Sequence, residues 1–81
     1  MDKKLLEHYL SDAESHVDTA RMRVTRQATV LRLMKREGMD VAGALELMTQ
    51  FEGLLATLEG IRDFILRQLG RELTSASAGD D

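Results

Sequence analysis

The sequence predicts an all-α fold: a long antiparallel helical hairpin that dimerises into a four-helix bundle. Three observations predict it. Apolar residues recur at alternating steps of four and three through the first half. A short Gly-Met-Asp interruption near the middle separates that run from a second periodic run. The 81 residues include no Pro and are rich in Leu, Met, Ala, Glu and Arg, a composition that favours helix over strand.

The first helix is expected over about residues 3–37. Leu6, Leu10, Ala13, Val17, Ala20, Val24, Gln27, Leu31 and Met34 form one heptad seam, with Gln27 its one polar member. A polar residue there can fix register or sit at the seam's edge. Tyr9 and His16 flank the same stripe. Gly38 suits a left-handed C-cap, and Arg32, Lys35 and Arg36 favour the negative end of the helix dipole. A turn is therefore expected at 38–40.

Asp40 suits the N-cap of a second helix, expected over about 41–71. Its stripe is wider: Ala44, Leu47, Met48, Phe51, Leu54, Leu55, Leu58, Ile61, Ile65 and Leu69 fall within about 140° of one face. Arg62 lies inside that stripe and must snorkel, pair, or mark the end of the core. From Gly70 the pattern fades into the small, polar residues 74–81, and residues 72–81 are predicted to form a disordered tail.

Charge layout agrees with the fold-back. Residues 21–36 carry Arg21, Arg23, Arg26, Arg32, Lys35 and Arg36 with no acid, whereas 40–59 carry Asp40, Glu46, Glu52 and Glu59 with no base. Folding at 38–40 sets these strips side by side, and sets Glu7, Asp12, Glu14 and Asp18 beside Arg62, Arg67 and Arg71. Such exposed pairs are worth roughly 0–1 kcal/mol each, so they bear on register more than on stability.

Two helices alone cannot cover a stripe as wide as the second. A second copy is the economical partner, and an unknown helical protein is the competing one. The residues expected to build the shared core and interface are Leu10, Val17, Val24, Leu31, Leu47, Phe51, Leu54, Leu58, Ile61 and Ile65. Gly53 and Gly60, seven residues apart beside Thr49 and Ala56, offer a second contact face, because interior glycines cost roughly 0.5–1 kcal/mol each against alanine. Met34 and Met48 are expected in the core, and Met22 outside it.

Composition narrows the function. With no cysteine there is no disulfide or thiolate chemistry, and only two histidines disfavour a closed zinc site. No apolar run reaches the ~20 residues that cross a bilayer, and Lys3-Lys4 precede no signal-peptide core. The expectation is a cytoplasmic chain with no cofactor and no membrane partner. The formal charge of −3 defines no partner class.

Residues 26–66 carry a family resemblance. Arg26-Gln27, Leu31, Met34, Gly38, Asp40, Ala44, Leu47-Met48, Phe51-Glu52, Leu55 and Arg62-Asp63 resemble the pattern of short uncharacterised α-proteobacterial (rhizobial-type) helical-hairpin proteins. Where those proteins often carry histidine, this chain has Met39 and Leu58. The resemblance implies a helical hairpin and brings no active site with it.

Three chemical readings compete with a packing role. His8, Asp12 and His16 are spaced by four, as helix-surface metal ligands can be, but steps of four drift around the helix. Ser15-His16-Val17-Asp18-Thr19 resembles the phosphoacceptor box of sensor kinases without its proline, which makes a histidine-phosphotransfer accessory the first alternative. The basic strip 21–36 suits a nucleic-acid accessory protein, against which stand the facing acids, the net negative charge and the missing aromatics. The preferred expectation is a non-enzymatic protein-interaction and oligomerisation module, a small scaffold or regulator.

Overall fold

The computed structural model describes residues 2–79, with side chains described for residues 2–74. Two helices, α1 (Lys3–Arg36) and α2 (Ala42–Gly79), pack against each other as a hairpin. The molecule measures 67 × 14 × 14 Å, the thickness of one helix pair, so each helix has one neighbour and a bare remainder.

Local chemistry sets the ends. Asp2 caps α1, its carboxylate accepting from the Lys4 N–H at 3.2 Å. At the other end Gly38 takes φ +71, the left-handed conformation that glycine adopts without a Cβ clash. The Gly38 N–H donates to the Lys35 carbonyl at 3.1 Å and the Met39 N–H to the Met34 carbonyl at 2.9 Å. Those two bonds are the Schellman pattern that satisfies terminal carbonyls. The Asp40 carboxylate accepts from the Ala42 N–H at 3.0 Å and so launches α2. The turn expected at 38–40 is thus where the chain reverses.

The second helix is longer than its apolar pattern. The stripe ends at Leu69, yet α2 continues to Gly79 through residues expected in the tail; the Thr74 hydroxyl donates to the Gly70 carbonyl at 2.8 Å. No proline stops it, and the helix carries on past the last core residue. Of the expected tail, residues 80–81 lie outside the described residues.

All nine seam residues of α1 are buried or half-buried, including Gln27. Val17 is 1% exposed and Leu6 2%. Facing them on α2 is a line with the same four-three spacing: Ala44, Met48, Phe51, Leu55, Leu58, Arg62, Ile65 and Leu69, each buried or half-buried. A cluster of buried residues joins Leu6, Ala13, Ile65 and Leu69, with Leu10 against it, at the end away from the turn. Small Ala13 and Ala20 alternate with Val17 on α1, so larger α2 side chains fit between them.

This arrangement divides the expected stripe in two. Arg62 belongs to the inner line, whereas Leu47, Leu54 and Ile61 do not join the core of the chain; they are 40%, 42% and 47% exposed. The physical reason is periodicity: a strict four-three count through α2 passes through Arg62 and leaves those three aliphatics one row to the side. Arg62 resolves its burial by turning to the rim, where Nε and Nη2 donate to Asp63 Oδ1 at 3.1 and 3.0 Å.

Candidate interaction surface

The two edges of the hairpin differ in chemistry. One edge is polar. Arg21 Nη2 donates to Glu59 Oε2 at 3.2 Å across the helices, and Glu14, Asp18, Arg21 and Arg62 line one cleft with Val17 beneath. Arg23, Arg26, Arg32, Lys35 and Arg36 form no ion pair with an acid of α2 among the described residues. The expected pairing of the two charge strips therefore reduces to Arg21 with Glu59. Long basic side chains on a helix point in several directions, and helical spacing sends Arg23 and Arg26 to the opposite side from Arg21, Arg32 and Lys35.

The other edge is apolar. Along it a shallow groove runs between the helices, lined at one level by Tyr9, Asp12, Ala13, His16, Leu58, Ile61 and Ile65. At the next level it is lined by His16, Thr19, Ala20, Arg23, Leu54 and Leu58. A second four-three line explains the groove. On α1 it reads Leu5, Tyr9, Asp12, His16, Thr19, Arg23, Arg26, Val30, Leu33, and on α2 Leu47, Gln50, Leu54, Thr57, Ile61, Phe64. Each lies about a quarter turn from the inner seam, on the same side of the hairpin.

Most of the exposed large apolar residues sit on these two lines. Leu5, Tyr9, Val30, Leu33, Leu47, Leu54, Ile61 and Phe64 belong to them; Met22, Met39, Leu45, Leu66 and Leu73 do not. An apolar row rimmed by polar groups is the form a helix-contact surface takes. The sequence already sets Leu47, Leu54 and Ile61 in a stripe too wide for one partner and Tyr9 on its flank; Leu5, Val30, Leu33 and Phe64 lie on the same second heptad line and escape a count of one stripe per helix.

The remaining expected residues divide clearly. Leu31 and Ile65 are buried, as is Val17, and Leu10, Val24, Phe51 and Leu58 are half-buried in the seam. Met34 and Met48 are half-buried, and Met22 is exposed. Gly53 and Gly60 face outward, opposite the seam, and a Cβ on either would meet nothing within 4 Å. No neighbour within the chain requires glycine there.

His8 Nε2 stands 3.6 Å from Asp12 Oδ2 on the surface of α1. His16 points instead along the groove, and no group of three metal-ligating side chains forms among the described residues. The imidazole of His16 is exposed beside Thr19 and Arg23. No helix among the described residues is long and apolar enough to cross a membrane.

Compared with protein-family models, curated proteins and solved structures, the chain matches none.

Proposed function

We propose that this chain is a non-enzymatic interaction module whose working surface is the apolar edge of the hairpin. In this reading the edge takes up a second copy, giving a homodimeric four-helix bundle that serves as a small cytoplasmic scaffold or regulator. A helical protein of another sequence is the other partner the surface suits. The observation that carries the reading is the collection of Leu47, Leu54, Ile61 and Phe64 beside Tyr9 and Val30 on one side, against a charged opposite edge. Burying apolar surface contributes about 25 cal/mol per Å², so covering the half-exposed Leu47, Leu54 and Ile61, spaced by seven along α2, favours association.

The test compares the two edges. Leu54→Glu with Ile61→Glu places charges on the apolar edge; Leu45→Glu with Leu66→Glu places them on the other. Sedimentation equilibrium should show association lost in the first pair and kept in the second, with helical circular dichroism retained in both. Equal association in the two pairs contradicts the assignment of the surface.

A further inference from the structure

We infer that the occupant of the apolar edge is a second copy related by a two-fold axis perpendicular to the helices, with the two turns at opposite ends of the bundle. This rests on the reading of that edge as an interface and adds the partner's direction. The argument lies in the residue order along the second line of α1. Its ends are apolar and its middle is polar.

Antiparallel pairing of α1 with α1 of a second copy, centred at Thr19, sets the apolar ends against each other and an acid against a base. Leu5 meets the partner's Leu33, Tyr9 meets the partner's Val30, and Asp12 meets the partner's Arg26. Asp12 and Arg26 are both exposed, and Arg26 has no ion-pair partner among the described residues of its own chain. On α2 the same axis passes by Thr57 and sets Leu54 against the partner's Ile61. The two centres lie at one level of the hairpin, because Leu54 and Leu58 flank His16, Thr19 and Arg23 in the groove. One axis therefore serves both helices, as an isologous interface requires.

The arrangement with both turns at the same end sets α1 against α2 of the partner instead. Asp12 then meets the partner's Phe64, Arg23 meets the partner's Leu54, and Leu5 meets the partner's Arg71. Charges are desolvated against apolar side chains without a counter-charge, which disfavours that packing.

The chain has no native cysteine, so single labels report directly. A spin label on Met39→Cys marks the turn. Turns at opposite ends place the two labels on the order of 50 Å apart; turns together place them within about 20 Å. Asp12→Arg and Arg26→Asp form the second arm. Each should weaken the dimer about three- to tenfold, and the double exchange should restore it. The two positions are 14 residues apart on one straight helix, so restoration arises only between chains. A short Met39 distance, or no restoration, overturns the perpendicular axis while leaving the edge as an interface. A chain that stays monomeric overturns both the axis and the second copy as occupant.

Discussion

Gln27 Nε2 donates to the Ala44 carbonyl at 2.9 Å, a side-chain bond from the last third of one helix to the first turn of the other. Gln27 is 8% exposed, the buried polar residue of the seam. The bond ties α1 to a fixed point just past the turn and so defines how the helices slide against each other. Gln27→Ala should lower the unfolding free energy by about 1–2 kcal/mol through the lost bond and lost packing. Gln27→Leu should change it by less than about 1 kcal/mol, because the Ala44 carbonyl keeps its helical N–H partner. Urea unfolding at one fixed protein concentration checks both. A Leu variant as damaged as the Ala variant contradicts this account of the bond.

Gly38 holds a backbone conformation that other residues adopt at a cost of about 1–2 kcal/mol. Space is not at issue, since a Cβ there meets nothing within 4 Å. Gly38→Ala should therefore lower the urea midpoint with no change in slope. An unchanged midpoint would mean that the turn tolerates another geometry.

Gly53 and Gly60 make the opposite prediction. Both sit within α2 with open space around them, so Gly53→Ala and Gly60→Ala should each stabilise the protein by about 0.5–1 kcal/mol. Oligomeric mass should not change. Higher thermal stability with weaker association would instead assign this face to a close helix contact, the second contact face that the glycine spacing suggests.

Core and edge truncations should separate. Leu6→Ala removes a side chain that is 2% exposed and should cost about 2–4 kcal/mol. Arg21→Ala breaks a pair whose side chains are 52% and 35% exposed and should cost no more than about 1 kcal/mol, less in high salt. Thermal unfolding in low and high salt distinguishes the two. A larger loss at Arg21 than at Leu6 would place the stabilising contacts on the polar edge.

Much of this fold is legible in the sequence, and the reason is periodicity. The seam from Leu6 to Met34, the reversal at Gly38 and the cap at Asp40 each follow from a residue type at a spacing that helix geometry demands. The partition of the second stripe was less accessible. A helical wheel groups Leu47, Leu54 and Ile61 with Phe51, Leu58 and Ile65, because each precedes one of these by four residues and residues four apart share a face. Only the partner helix decides which row is inner, and here the inner row includes Arg62. That charge interrupts the apolar pattern in sequence, but its long stem lies along the seam while its head reaches Asp63. The basic strip misled in the other direction: a run of cations is contiguous in sequence but spreads around a helix in space.

The central claim is that the row of Leu47, Leu54 and Ile61 is covered in the working protein. The most direct measurement is absolute molar mass by light scattering across a wide concentration range. The account predicts a mass twice the 9.1 kDa of the chain, holding steady on dilution. A fully helical protein that keeps the 9.1 kDa mass at every concentration would contradict it.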